Sequence, residues 1–170
     1  MMGLLRNEIL ESDRRPIMTE QLNVRIVTLP PMRVASFYGY GEGPEMVAHG
    51  TLEEWARPRG LLQANSGRLV FGFNNPSPTA GSPNYGYEFW MTLDADEDPG
   101  EGVEVKTFPG GMYAVTRCVG VEIIGAVWQQ LAAWRNGTHY RYGNHQWLEE
   151  HVNIWDSGPF TLDLFLPIAG

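Results

Sequence analysis

The sequence predicts an α+β domain built from two related units, and three observations carry that prediction. A strand-like run, Val24-Arg25-Ile26-Val27-Thr28-Leu29-Pro30, returns position by position as Val103-Glu104-Val105-Lys106-Thr107-Phe108-Pro109. In both places a further strand pattern and then a helical pattern follow. The chain of 170 residues, 43% hydrophobic and 19% charged, also has globular composition. A chain of this length buries roughly two-thirds of its unfolded surface.

The elements read as follows. Leu4, Leu5, Ile9 and Leu10 could form a helical turn or two ahead of a charged stretch, so residues 1–20 read as an N-terminal extension and 21–170 as the domain. The extension is too short for a helix-turn-helix, which needs two packed helices and their support. Residues 24–29 alternate as a strand, Pro30-Pro31 interrupts them, and residues 32–40 read as a second strand or its continuation. Pro44 suits the start of a helix. Ala48, Leu52 and Trp55 then fall at helical spacing until Pro58 and Gly60 stop them. Residues 68–73 form a short apolar strand, 74–83 a Pro/Gly/Asn loop, 85–93 a strong strand and 94–102 an acidic turn region. In the second unit, residues 111–115 parallel 31–35 after one inserted glycine. Val121, Ile124, Trp128, Leu131 and Trp134 make the apolar stripe of a second helix, with Asn136-Gly137 as its stop. Residues 139–159 are aromatic and polar, and residues 160–168 close the chain as a strand. The period of about 80 residues is too long for a solenoid. It implies a duplicated unit whose halves complete each other's burial.

Charge and motifs exclude several functions. Twelve basic residues stand against twenty acidic ones, a net charge of −8. Phosphate neutralisation needs Lys and Arg, so direct nucleic-acid binding is not expected, whereas an acidic surface draws cations by its field. Cys118 is the single cysteine, which excludes an intramolecular disulfide, and it reads as a small buried hydrophobe on a strand. The Cys/His spacing of a metal site is missing, so no metal or cofactor is expected. Neither a phosphate-binding glycine loop nor a GxSxG elbow occurs. Residues 1–10 lack a signal-peptide core, and no run approaches the roughly 20 apolar residues that span a bilayer. A cytoplasmic protein without membrane association is the expectation.

The candidate site residues are acids and aromatics. On strand 86–93, Tyr87, Phe89, Met91 and Leu93 share a face that reads as core, while Glu88, Trp90 and Thr92 share the other. Glu88 beside Trp90 fits either a solvated sheet face or a ligand groove. Trp147-Leu148-Glu149-Glu150-His151 reads as one helical turn on which Glu149 and Glu150 cannot point the same way. Tyr38, Tyr40, Trp90 and Trp147 are among aromatics whose polar atoms need partners, and some of them would line a concavity. A carboxylate among aromatic faces suits a lipophilic cation. His139 and His145 read as surface-loop residues.

Taken together, these features resemble the GyrI-like small-molecule-binding domain, the effector-binding domain of AraC- and MerR-type transcription regulators. The resemblance rests on the duplicated units, the Asn74-Asn75-Pro76 loop followed by Tyr87-Glu88, the Leu148-Glu149-Glu150-His151 segment and the closing Leu164-Phe165-Leu166-Pro167-Ile168 strand, and it covers residues 22–168. It implies an α+β fold of two strand–helix–strand–strand (SHS2) units, with antiparallel sheets and two main helices around a central groove. It implies that Glu149 matches the acid that faces the ligand, with Glu88, Phe165 and the aromatics above as further candidates. His151 stands where the family commonly has Tyr, which changes one wall of that groove.

Three functions follow from this reading. The first is a stand-alone protein that binds a small hydrophobic, cationic effector without a DNA-binding domain of its own. The second is a hydrolase of electrophilic small molecules, with Glu149 as general base and Glu88 or His151 assisting. The third is an interaction module with no small ligand. A homodimer or a separate regulatory protein remain open as partners.

Overall fold

A computed structural model describes residues 22–170; the expected extension, residues 1–20, lies outside the described residues. The elements run β1 (Arg25–Leu29), β2 (Met32–Gly41), α1 (Pro44–Ala56), β3 (Val70–Asn74), β4 (Tyr85–Leu93), β5 (Glu104–Phe108), β6 (Gly111–Val119), α2 (Ile124–Asn136), β7 (Arg141–Tyr142), β8 (Leu148–His151) and β9 (Thr161–Ala169). A 3-10 turn, Arg57–Arg59, follows α1, and another, Val121–Ile123, leads into α2. The fold is α+β, as expected, with every strand pair antiparallel.

One continuous sheet runs in the order β1-β6-β9-β8-β3-β4-β2-β5, with β7 paired to β9. The order is a palindrome of the two units. Each half gives its first strand to the other, since β1 pairs with β6 and β5 with β2. The repeat is cleaner than the sequence reading had it. β1 and β5, and likewise β2 and β6, start 79 residues apart, so no glycine is inserted. Gly110 takes the place of Pro31, and its φ of 81° carries the turn where a Cβ would stand 2.4 Å from the Leu29 carbonyl.

Alternation along the strands builds two kinds of layer. One sheet face carries the helices. Ala35, Phe37, Phe89 and Met91 pack there with Leu52 and Trp55 of α1, and Ala114, Leu162, Leu164 and Leu166 with Val127 and Leu131 of α2. The opposite face curls around an aromatic core shared by both halves, in which Phe71 meets Phe165 at 5.7 Å and Phe73 meets Trp90 at 4.8 Å between ring centroids. The expectation that Glu88 could lie on a solvated face fails here. The curl buries that face, and Glu88 is 2% exposed.

The halves join where β3 meets β8. Gly72 pairs with Glu149 and Phe71 with Glu150, so the approximate twofold axis passes through the Gly72–Glu149 pair. Residues 148–151 are a strand, not the helical turn the sequence suggested. Four residues are too few to show a period, and β8 is defined by its two neighbours β3 and β9. Glu149 and Glu150 do point to opposite faces, as pleating requires. His145 also departs from the surface-loop reading. Its ring packs on Tyr113 at 4.7 Å, and its Nε2 lies 2.7 Å from the Met112 carbonyl oxygen.

Candidate functional site

Neither helix covers the central β3–β8 pair on the helix-bearing face. That gap is a groove, with a cavity of about 950 Å³ between α1, the start of α2 and the loop after β8. Its floor holds Tyr87, Phe89, Glu149 and His151, and Met46 and His49 of α1 form one wall. Glu45, His49 and Glu53 recur every four residues, so one stripe of α1 faces the opening.

The arrangement on the floor depends on Gly72. A Cβ there would lie 2.2 Å from the Tyr87 hydroxyl. Because none exists, Tyr87 reaches across β3 and donates to Glu149 Oε2 at 2.8 Å. The same hydroxyl lies 2.9 Å from His151 Nε2. Its single proton goes to the carboxylate, so a neutral His151 carrying hydrogen on Nε2 completes a chain of donation from His151 through Tyr87 to Glu149. On the other side, Trp128 Nε1 of α2 lies 3.3 Å from Glu149 Oε1.

Burial raises both acids of β8: Glu150 points away from the groove, with Asp163 adding to the rise and Arg25 and Arg117 opposing it, and the acid on the groove floor is Glu149. Burial pushes its carboxyl above the usual range, the Tyr87 and Trp128 hydrogen bonds oppose that, and Glu45 adds to it. Burial lowers His151 to about 3, with His49 contributing, which keeps the imidazole neutral. Burial, followed by the charge and hydrogen bond of Glu149, holds the Tyr87 hydroxyl well above its ordinary value. The two fully buried acids, Glu88 and Asp163, are neutralised by cations. Lys106 Nζ lies 2.5 Å from Glu88, and Arg25 and Arg117 lie 2.7 and 2.8 Å from Asp163. Among the described residues no Lys or Arg pairs with Glu149.

The sequence candidates therefore separate. Glu149 and His151 meet on the groove floor. Glu88 turns into the shared core, where Ser36, Asn75, Trp90 and Lys106 donate to it. Trp90 and Phe165 are packed in that core. Tyr38 and Tyr40 are exposed and line neither the groove nor its neighbour. Trp147 lines a second, smaller cavity behind Trp128. Sequence reasoning missed Tyr87, taken as core, and the α1 wall. The four-residue recurrence of Glu45, His49 and Glu53 was the available signal, but it resembles an ordinary solvated helix face.

The geometry agrees with the comparisons. The family model of integron-associated effector binding proteins (Cass2) matches residues 25–168. The chain belongs to that effector-binding family, related to the ligand-binding domains of transcription regulators. The EcmrR C-terminal domain aligns at TM-score 0.64 and 15% identity, over 87% of this chain and 98% of that one. EcmrR in its DNA complex aligns at TM-score 0.60 and 16% identity over 86% of this chain, which spans only 57% of that protein's length. The structure of SAV2435 bound to tetraphenylphosphonium aligns at TM-score 0.53 and 13% identity, over 88% and 95% of the two chains. A hydrolase from Listeria innocua aligns at TM-score 0.56 and 10% identity, over 89% and 94%. At these identities the structural likenesses concern the fold. No curated protein matches the chain. Among the described residues no helix is long and apolar enough to cross a membrane.

Proposed function

We propose that residues 21–170 form an effector-binding domain that captures a bulky, mostly apolar organic cation, with Glu149 as its countercharge. One observation carries this reading. Glu149 is recessed in the groove floor and held only by the neutral donors Tyr87 and Trp128, whereas Glu88 and Asp163 each have a cation within 3 Å. A carboxylate shielded from water without a positive partner is costly, and a bound cation relieves that cost. Aromatic faces at Phe89 and Phe160 and the apolar wall of Met46 and Ile154 suit the ligand's body. Glu45, Glu53 and Asp156 at the rim attract positive charge. The cation bound by SAV2435 is of this class. In a chain of net charge −8, the domain would pass its signal through a separate partner rather than by gripping DNA itself.

Calorimetric titration with tetraphenylphosphonium and the neutral triphenylphosphine oxide tests the reading. Glu149→Gln should weaken the cation at least about tenfold, equivalent to about 1.4 kcal/mol, and leave the neutral compound within about twofold. Equal loss for both would sink the charge role.

A second reading has its own observation. A carboxyl raised by burial and hydrogen-bonded to Tyr87 is suited to general-base attack by water on an electrophilic ligand. Turnover of a strained cyclopropane ester that disappears in both Glu149→Gln and Tyr87→Phe would favour it. Binding without turnover would leave capture as the function.

A further inference from the structure

Glu149 stands between two chambers, bordering both as Asn74 does, and is not the end of one. Its Oε2 faces Tyr87 in the large cavity, while its Oε1 faces Trp128 and borders a second cavity of about 400 Å³. Phe73 and two indoles, Trp128 and Trp147, line the small chamber. Trp128 and Trp147 stand 5.4 Å apart between centroids at 45°, and Trp147 stacks in turn on Tyr142 at 5.8 Å and 26°. Arg135 lies over the Tyr142 ring at 3.9 Å. Ser77 and Gln146 add polar groups at the edge. Trp147 is 42% exposed although it is a large apolar ring, and it lines this chamber.

From this geometry we infer that the small chamber is a second ligand site, for a planar nitrogen-heteroaromatic cation, coupled to the groove through the one carboxylate they share. The inference rests on the reading of Glu149 as the countercharge of the groove. The indole faces supply stacking and cation–π attraction, and Oε1 supplies the charge. Tetraphenylphosphonium is bulky and three-dimensional and belongs in the large chamber. A fused two-ring cation fits the slot beside Trp147. Because a single negative charge serves both, a cation in one chamber weakens a cation in the other.

The test uses the full chain, tetraphenylphosphonium and N-methylquinolinium in calorimetric titrations. Trp147→Ala and Phe160→Ala alter half-exposed rings, one in each chamber, so both should fold; far-ultraviolet circular dichroism checks this. Trp147→Ala should weaken N-methylquinolinium at least about tenfold and tetraphenylphosphonium by less than about twofold, with Phe160→Ala showing the reverse. Saturating tetraphenylphosphonium should raise the N-methylquinolinium Kd by a finite factor, roughly 5- to 150-fold, the usual span of site–site coupling. Glu149→Gln should abolish that factor. Complete displacement of one probe by the other, or equal sensitivity of both to Phe160→Ala, overturns the second site. Tetraphenylphosphonium binding without any N-methylquinolinium binding overturns it too, yet leaves the groove reading intact. N-methylquinolinium binding that depends on Trp147, without tetraphenylphosphonium binding, supports the small chamber and sinks the groove reading. Binding of neither probe overturns both.

Discussion

At the scale of single residues, the floor of the groove is one linked ionisation system. Tyr87 stabilises the charged form of Glu149 by donating to it, so Tyr87→Phe should push the Glu149 carboxyl further up. On the proposed capture of a cation by Glu149, affinity falls as that carboxylate takes a proton. Titrations across pH should therefore show the Tyr87→Phe variant losing the cation at a higher pH than the parent. Gly72→Ala should act similarly, because its Cβ would claim the position of the Tyr87 hydroxyl; overpacking of this kind costs about 1–3 kcal/mol. His151 makes a separate prediction. Its imidazole is held down to about 3 from 6.5, so neutral His151 contributes stability that is fully present above pH 6.5 and is lost as pH falls towards 3. Once the unfolded chain alone holds the proton, the slope approaches about 1.4 kcal/mol per pH unit. Urea unfolding between pH 6.5 and 4.5 should be visibly flatter for His151→Gln, and an unchanged slope would refute the assignment.

At the scale of elements, α1 owes its position to an absent side chain. A Cβ on Gly39 would lie 2.3 Å from the Pro44 carbonyl oxygen and 2.9 Å from the Ala48 amide, both backbone atoms of α1. Neither can yield without moving the helix. Gly39→Ala should therefore lift α1, destabilise the domain by about 1–3 kcal/mol and loosen the Met46–His49 wall, so that melting temperature and ligand affinity fall together. The equivalent strand position in the other half is Cys118, buried and accommodated beneath the second helix. The same scale shows what the sequence could reveal. Both helices and the long strands were legible because each repeats its apolar spacing over two turns or more, or over several alternations. β8 was not, because Leu-Glu-Glu-His has no period and one of its two partners, β3, lies far away in sequence. Glu149 was legible through its family motif, whereas its donor Tyr87 looked like core because it shares a face with Phe89 and Met91. The burial of Glu88 was hidden because only the curl of the sheet makes its face an interior.

At the scale of the whole molecule, the exchanged strands carry the charges that hold the halves together. β5 brings Lys106 to Glu88 in the first half, and β1 brings Arg25 to Asp163 in the second. Burial alone would raise both acids. Lys106, Ser36, Asn75 and Trp90 at Glu88, and Arg117 and Arg25 at Asp163, outweigh it and hold both below the usual range. Their stabilisation is present above the ordinary carboxylate range and lost as pH falls through the lowered values, so it adds to the His151 loss from the lower part of that window downward. Lys106→Met should destabilise the domain by about 2 kcal/mol, less than a fully buried pair because Lys106 is partly exposed. The double variant Lys106→Met/Glu88→Gln should recover part of that loss in denaturant titrations; simple addition of the two single effects would show that the pair is not coupled.

The pairing of Gly72 with Glu149 limits what a duplicated scaffold can hold at its centre. Two glutamates facing each other across the axis would repel, and their bulk would evict the tyrosine that tunes them. The two equivalent halves thus carry this acid in one copy only, with a bare glycine at the matching place in the other. Symmetry broken at that single site gives a repeated structural unit one charge and a defined polarity.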